Sequence, residues 1–294
     1  MKDQDVPAFW QRLGVPGLID IHVHFMPQRV MDKVWAYFDA AGPLTQHDWP
    51  IHYRWPEDKR LAHLRELGLR AFPSLVYAHK PDMAAWLNEW AIAFASDKPD
   101  VIPTATFFPE PGVASYVDGV LRDGARLFKA HVQVGGYDPR DALLDDVWGR
   151  LAEAAVPVVV HVGSGPSPGE FTGPGPFGEV LRRHPSLTAV VAHMGMPEYD
   201  AFLDFAERFD NVYVDTTMCF VDFFGDQTEV ARKLAPRLRG LQSKVLFGSD
   251  YPNIPHEYAH QLEVLERLEL GDAWLRSVCW GNAISLLGAE VVPR

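Results

Sequence analysis

Short apolar runs recur along the chain, and most of them end in polar or chemically capable residues. Each run spans about five to eight residues and is rich in Val, Ile and aromatic side chains, a composition typical of buried strands. The sequence therefore predicts eight strands, at residues 18–24, 69–76, 101–107, 125–132, 156–161, 187–193, 211–215 and 244–250.

Helical periodicity fills most of the intervals between these strands. Leu61, Leu64 and Leu67 show it, with apolar residues spaced by three positions. Alternating strands and helices predict an α/β fold with a parallel sheet, and eight strands are the number that closes a (β/α)8 TIM barrel. A doubly wound open sheet is the alternative architecture.

Two segments interrupt this alternation. Residues 25–68 are rich in aromatic side chains and predict either a packed surface excursion or an aromatic cap over the barrel mouth. Residues 163–178 are so rich in Gly and Pro that they predict a lid or binding loop without helix or strand. No repeat or linker divides the chain, so we expect a single domain over residues 1–294.

The chain is acidic, with 27 Lys and Arg residues against 39 Asp and Glu and a formal net charge of −12. Such a chain, without a run of basic residues, is a poor partner for nucleic acid or an anionic membrane. No apolar stretch reaches the roughly 18 residues that span a membrane, and no signal peptide is recognisable. Cys219 and Cys279 lie far apart in sequence, which fits two thiols in a reducing cytoplasm. We expect a cytoplasmic protein with a small-molecule substrate.

Histidines at predicted strand ends carry the candidate chemistry. His22 and His24 are two positions apart, so on a strand both side chains leave the same face. His161, His193 and Asp250 close three further predicted strands, and the carboxyl ends of barrel strands are where active sites form. Imidazole and carboxylate are ligands of zinc and related divalent ions. The residues therefore favour a metal site over a set of unrelated core histidines.

The fourth predicted strand needs separate interpretation, because Lys129 and His131 share a face. Lys129 could pair with a carboxylate, contact an anionic substrate, or carry a carbamate that bridges two metal ions. His131 fits either a substrate contact or core packing. Asp20 shares the parity of His22 and is expected beneath the metal as a supporting partner, whereas Asp215 fits a helix cap or loop anchor.

The remaining seven histidines fall in predicted loops or helices, where surface or capping roles are the default. They are His47, His52, His63, His79, His184, His256 and His260.

Five motifs in this order resemble those of the amidohydrolase superfamily, over nearly the whole chain. They are LIDIHVHFMP on the first strand, VVVHVGSG on the fifth, VVAHMG on the sixth, LFGSDYP on the eighth, and the Gly-Asn-Ala of residues 281–283. The pattern is most similar to the amidohydrolase 2 group, which includes aminocarboxymuconate semialdehyde decarboxylase-like proteins and lactone hydrolases.

The resemblance implies a distorted (β/α)8 barrel with one divalent metal, usually zinc and sometimes manganese. By position, the ligands would be His22, His24, His161 and Asp250, with His193 as the catalytic histidine. The strand-four position of Lys129 is comparable to the carboxylated lysine of binuclear members, although this branch is generally mononuclear. Relatives of this kind often form dimers, so a homodimer is expected.

One departure from the family pattern concerns the residues after His161. Decarboxylase-like members often carry Pro-Trp or a similar bulky pair there, whereas this chain has Val162 and Gly163. The difference weakens the decarboxylase interpretation without removing it.

The leading functional hypothesis is metal-assisted hydrolysis of a lactone, amide or ester carbonyl in a small carboxylated or aromatic substrate. In it, Asp250 takes a proton from the attacking water, and His193 stabilises the oxyanion or acts as a general acid. The alternatives are a non-oxidative decarboxylase using the same site and a non-enzymatic barrel that keeps its metal for stability. Candidate substrate contacts are Phe25, Lys129, His131, Phe171 and Tyr251. Arg54, Lys59 and Lys80 could meet a carboxylate, although surface solvation is the expected role of each.

Overall fold

The computed structural model describes residues 1–45 and 48–293. His47, expected in a surface or capping role, lies outside this part of the chain. In the described part, the strands are β1 (Leu18–Ile19), β2 (Leu69–Pro73), β3 (Val101–Ile102), β4 (Thr104–Thr106), β5 (Leu127–His131), β6 (Val158–His161), β7 (Ala189–Val191), β8 (Val212–Asp215) and β9 (Val245–Leu246).

Helices separate most consecutive strands, as the sequence predicts. They are α1 (Val6–Arg12), α2 (Gln28–Ala40), α3 (Gly42–Thr45), α4 (Glu57–Glu66), α5 (Ala84–Ala95), α6 (Val113–Arg122), α7 (Val132–Gly135), α8 (Ala142–Glu153), α9 (Pro174–Arg183), α10 (Tyr199–Arg208), α11 (Thr228–Gly240), α12 (Ala259–Glu266), α13 (Asp272–Arg276) and α14 (Asn282–Leu287). None of the helices in the described ranges has the length and apolar content needed to cross a membrane.

The chain divides into two compact units. The split unit comprises Met1–Phe72 and Asp215–Arg294, and the central unit comprises Pro73–Val214. The single domain over residues 1–294 stays a prediction.

Parallel strands form the centre of the central unit. Strand β5 pairs with β4 and β6, and the parallel order continues through β7 to β8. Every residue of β5 and of β6 is buried, which explains the continuous run of valines that precedes His161 in β6. The register places His131 of β5 beside His161 of β6.

Helix α8 shows how the sequence specifies the helical layer. Asp141 caps its first turn by accepting a hydrogen bond from the Leu143 amide. Its buried residues, Leu144, Val147, Trp148 and Leu151, follow the spacing of one helical face. In the split unit, Leu61, Leu64 and Leu67 are likewise buried.

Two predicted strands are interrupted in the structure. Residues 101–107 form β3 and β4 rather than one strand, because Pro103 between them has no amide hydrogen for a ladder. Residues 18–24 pair with β2 only over Leu18–Ile19. The Asp20 amide still donates to the Ala71 carbonyl of β2, and the backbone changes partner at Ile21, whose amide donates to the Phe247 carbonyl. His22 and His24 therefore lie after the strand rather than on it.

The aromatic-rich segment 25–68 is packed and largely helical. Trp35, Trp49 and Tyr53 are buried, and the Trp49 ring centroid lies 5.1 Å from that of Phe38 and 4.8 Å from that of Phe223. A packed excursion describes these contacts, and a capping role stays a prediction.

The Gly- and Pro-rich segment 163–178 is held by backbone hydrogen bonds. Gly165 donates to the Met196 carbonyl, and Gly173 donates to that of Val162. The prediction of a segment without helix is wrong at its end, because α9 begins at Pro174. Proline is tolerated in the first turn of a helix, where its missing amide hydrogen would have no helical partner.

Candidate metal site and histidine cluster

Three side chains of the split unit form a candidate metal site. His22, His24 and Asp250 each offer one ligand atom, and these atoms lie within 4.8 Å of one another. The Asp250 Oδ1 atom is 3.0 Å from His24 Nε2 and 3.5 Å from His22 Nε2. Two metal bonds of about 2.1 Å at a tetrahedral angle would separate their ligand atoms by about 3.4 Å. The donor set and its spacing therefore fit a divalent metal ion.

Backbone hydrogen bonds hold these three residues together. The Asp250 amide donates to the His22 carbonyl at 2.8 Å, and the His24 amide donates to the Tyr251 carbonyl at 2.7 Å. Asp250 has a φ of 70°, in the left-handed region that Asp tolerates better than most residues. The ligand geometry thus follows from the joining of two backbone segments.

Gly248 makes room for the site. A Cβ atom there would lie 2.3 Å from Thr217 Oγ1, 2.8 Å from His22 Cβ and 3.4 Å from Asp215 Cγ. No larger residue fits without moving these groups, so glycine sets the close approach between the segments that carry His22 and Asp215.

Asp215 is a candidate supporting residue of this site that the sequence interpretation missed. Its Oδ2 atom accepts a hydrogen bond from His22 Nδ1 at 2.8 Å, and both side chains are buried. This bond places the ring proton on Nδ1 and leaves Nε2 as the ligand atom, the usual arrangement of a histidine ligand and a supporting carboxylate. The position of Asp215 at the end of a predicted strand was the available signal.

Asp20 supports the backbone of the site rather than an imidazole ring. Its Oδ1 atom accepts from the amides of His22 at 2.9 Å and Ser249 at 3.2 Å, and its Oδ2 atom accepts from the Tyr258 hydroxyl at 2.9 Å. Complete burial raises the pKa of Asp20 to about 7, although these donors favour its ionised form.

Three histidines cluster in the central unit. The rings of His131 and His161 are stacked, with centroids 4.1 Å apart and planes at 14°. His193 meets His161 edge to face at 4.7 Å, and Tyr77 lies 4.9 Å from His131. The structure therefore brings together His131, His161 and His193, three of the residues that the sequence singled out.

Hydrogen bonds fix the tautomers of two of these histidines when they are neutral. His131 Nδ1 accepts from the Val134 amide at 3.2 Å, which places its proton on Nε2. His161 Nε2 donates to the Gly165 carbonyl at 3.0 Å. Any metal bond of His161 would consequently use Nδ1.

His193 lies beyond β7, in a tight turn over residues 192–195. Its φ of 56° and ψ of 28° place it in the left-handed region. A Cβ atom on Gly163 would lie 2.5 Å from the Met196 carbonyl oxygen and 2.6 Å from the Gly195 carbonyl carbon. The departure from a bulky pair after His161 thus has a local cause, since only glycine lets the following loop lie against this turn.

The remaining candidate substrate contacts occupy different environments. Lys129 is completely buried on β5, two positions before His131. Phe25 is also buried, with its ring centroid 6.1 Å from that of Phe72. Tyr251 is buried and its hydroxyl donates to the Arg60 carbonyl at 3.2 Å. Phe171 is half-buried in the Gly- and Pro-rich segment.

Arg60 is a second residue that the sequence interpretation missed. Its side chain is fully buried, and its guanidinium carbon lies 5.0 Å from the Phe25 ring centroid and 5.4 Å from that of Trp35. Its three guanidinium nitrogens have no hydrogen-bond partner among the described residues. Burial lowers the pKa of Arg60. Its place on the buried face of α4, four residues before Leu64, was the signal.

The three cations considered from sequence differ from Arg60. Arg54 pairs with Asp39 at the surface, and Lys59 lies 3.9 Å from the Trp55 ring centroid. Lys80 is exposed. None of the three is a buried cation.

The family model described as Amidohydrolase matches residues 19–289. None of the curated proteins matches the chain in sequence.

Solved structures with low sequence identity share the fold. A TIM-barrel protein of Bordetella bronchiseptica has a TM-score of 0.73 at 18% identity, covering 94% of this chain and 99% of that one. A probable 2-pyrone-4,6-dicarboxylic acid hydrolase of Acinetobacter baumannii has a TM-score of 0.62 at 14% identity, covering 92% and 99%. A 5-carboxyvanillate decarboxylase of Novosphingobium aromaticivorans, in complex with manganese and 4-hydroxy-3-methoxy-5-nitrobenzoic acid, has a TM-score of 0.62 at 15% identity, covering 92% and 96%. The likeness confirms the predicted α/β TIM-barrel fold.

Proposed function

The chain belongs to the amidohydrolase family, and from this premise we propose that it is a metal-dependent hydrolase acting on a small carboxylated substrate. The bond cleaved would be that of a lactone, amide or ester carbonyl. The observation that carries the proposal is the convergence of His22, His24 and Asp250, with Asp215 orienting His22.

These residues suit one divalent ion. His22 and His24 would bind through Nε2 and Asp250 through a carboxylate oxygen, and we propose His161 Nδ1 as a further ligand. Zinc is our first choice, and the manganese in the related decarboxylase makes that ion the second. Such an ion lowers the pKa of a bound water and polarises a carbonyl group.

Asp250 and His193 would handle the protons of the reaction. The Asp250 side chain is 14% exposed and the His22 side chain is 1% exposed, so the Asp250 carboxylate is the more accessible of the two groups. It would take a proton from the attacking water and return it to the leaving group. His193, half-buried, would donate a hydrogen bond to the oxygen on which negative charge develops.

The buried guanidinium group of Arg60 is the reason that we propose a carboxylated substrate. A buried cation without hydrogen-bond partners is costly, because its lost hydration is not replaced. A substrate carboxylate would supply the missing acceptors in the two-bond geometry that guanidinium prefers. The related hydrolase and decarboxylase also carry carboxylated aromatic or pyrone compounds in their names.

A decarboxylase is the second candidate, favoured by the likeness to the 5-carboxyvanillate enzyme. It would use the same metal ligands, with protonation of the ring replacing attack by water. Hydrolysis adds water to the substrate, whereas decarboxylation releases carbon dioxide.

Product analysis separates these proposals. Metal-loaded protein is incubated with 2-pyrone-4,6-dicarboxylate and, separately, with 5-carboxyvanillate, while ring-opened acid and carbon dioxide are measured. Ring opening supports the hydrolase, and carbon dioxide release without ring opening supports the decarboxylase. A broader screen of lactones, amides and aromatic acids then follows. Metal-dependent stability with no turnover of any of them would contradict both and favour a binding protein.

A further inference from the structure

The central unit contains a surface cavity whose lining includes none of the histidines discussed above. It has a volume of about 270 Å³ and lies between α9 and α10. We propose that this cavity binds a small aromatic carboxylate. The proposal goes beyond the hydrolase function and does not depend on it.

Two phenylalanines form the apolar part of the cavity. A Cβ atom on Gly178 of α9 would lie 2.8 Å from Phe205 Cζ, so the Phe205 ring rests directly against the α9 backbone. The Phe205 and Phe209 rings meet at 76° with centroids 6.1 Å apart. Both residues are half-buried and line the cavity. They offer aromatic surface to an incoming ring.

Two arginines supply positive charge at the same cavity. Arg182 lies near the end of α9, and Arg208 is the last residue of α10. The Arg208 guanidinium carbon lies 5.5 Å from the Phe209 ring centroid. Within residues 1–45 and 48–293, neither arginine has a hydrogen-bond or ion-pair partner for its side chain.

Neighbouring arginines of the central unit form ion pairs with carboxylates instead. Arg183, next to Arg182 on α9, pairs with Asp145, and Arg140 pairs with Asp138 and Glu179. In a chain with a net charge of −12, two arginines left to solvent beside aromatic surface form a local anion site.

The size and chemistry of the cavity define the ligand class. Drug-sized ligands occupy cavities of roughly 300–1,000 Å³, so 270 Å³ suits a single ring with one carboxylate. Guanidinium groups bind carboxylates through paired hydrogen bonds, and the ring would pack against Phe205 and Phe209. An aliphatic acid lacks the ring contacts, and a neutral aromatic compound lacks the charge.

Titration with benzoate tests the proposal. We expect saturable amide shift changes in α9 and α10 by NMR, and affinity about tenfold weaker in Arg182→Ala and in Arg208→Ala. Arg183→Ala is the matched control, since the same helix loses a paired arginine instead, and it should bind as the wild type does. Arg60→Met should also leave these shifts unchanged, which separates this site from the proposed substrate site.

Three outcomes would overturn the proposal. They are no shifts in α9 and α10, equal benzoate affinity in the Arg182 and Arg208 variants, and equal binding of acetate or benzyl alcohol. A failed hydrolase assay leaves the benzoate titration unaffected, so the two proposals fail independently.

Discussion

The metal site of the split unit and the histidine cluster of the central unit use the same side chain in different ways. In the metal site, carboxylates orient the imidazoles, with Asp215 on His22 Nδ1 and Asp250 facing His22 Nε2 and His24 Nε2. In the histidine cluster, the His131 and His161 rings stack on each other, and backbone groups of Val134 and Gly165 hydrogen-bond to them.

The difference shows that the groups around a histidine determine whether it is suited to metal binding or to hydrogen bonding. Carboxylates around neutral imidazoles create a site for a cation. The backbone hydrogen bond from Val134 favours a neutral His131 ring, and stacked neutral rings suit hydrogen bonding to a substrate. We therefore propose that the first group supplies most of the metal ligands, with His161 of the second group as the further one, and that His193 stabilises the oxyanion.

Removal of the negative charge of Asp250 should have the largest effect. Asp250→Asn loses the proposed base and an anionic ligand, so we expect kcat to fall by about 10²- to 10⁴-fold. Steady-state kinetics measure the loss, and circular dichroism checks that the variant folds. Wild-type turnover by a folded Asp250→Asn variant would contradict its role.

Loss of the Asp215 carboxylate should have a smaller but measurable effect, a decrease in metal affinity. Asp215→Asn weakens the hold on the His22 ring, so we expect metal affinity to fall by about 10- to 100-fold. Competition with a chromogenic chelator measures this affinity. Asp226→Asn, which changes an exposed carboxylate of the same unit, serves as the control. Equal affinities in the two variants would remove Asp215 from the site.

Arg60 should affect substrate binding more than chemistry. In Arg60→Met, we expect KM for a carboxylated substrate to rise about tenfold with a smaller change in kcat, because a charge-assisted contact is lost. The free energy of unfolding should stay equal or rise, since an unsatisfied buried cation is replaced by an apolar chain. Arg54→Met is the surface control. A marked loss of stability with unchanged KM would give Arg60 a structural role instead.

Mild acid should have the smallest effect, a decrease in the free energy of unfolding caused by protonation of His256, which lies outside both groups. Burial lowers the pKa of His256 to about 4. Its Nδ1 lies 2.9 Å from the Glu257 carbonyl and its Nε2 lies 3.3 Å from Gln261 Nε2, an arrangement suited to the neutral ring. The contribution of His256 to the free energy of unfolding is therefore fully present above its unfolded pKa of about 6.5. This contribution is lost as the pH falls from there towards 4.

Relative to neutral pH, this loss should amount to about 1 kcal/mol at pH 5.5. Urea unfolding at the two pH values measures it, with His256→Gln as the comparison variant. An equal acid loss in the wild type and in His256→Gln would exclude His256 as its source.

The sequence predicted most of the architecture because buried parallel strands read as apolar runs. It failed where backbone connections change locally. Pro103 divides one strand, β1 ends at Ile19 before the hydrogen bonds change partner, and α9 starts at Pro174 inside a segment expected to be loop. The prediction missed these boundaries because it rests on the periodicity of apolar residues, which does not change at any of them.

Predicted strand ends pointed to the residues of both histidine groups, although β1, β7 and β9 end before His22, His193 and Asp250. They did not identify the groups that support these residues. Asp215 and Asp20 both had the parity or position of a partner, and only the folded chain shows that Asp215 contacts the ring while Asp20 holds the amide. Arg60 was missed because a charged residue in a helix is expected at the surface, where its side chain would be hydrated.

Metal content tests the central claim most directly. Protein purified without chelators is analysed for elements per chain in the wild type, in His22→Ala and in His63→Ala, whose histidine pairs with Asp3 in the same unit. We predict about one zinc or manganese ion per chain in the wild type and in His63→Ala, and loss of the ion in His22→Ala. Two ions per chain would contradict the mononuclear site and point to Lys129 as a bridging ligand. An absence of metal in the wild type, or its retention in His22→Ala, would contradict the assignment of the site.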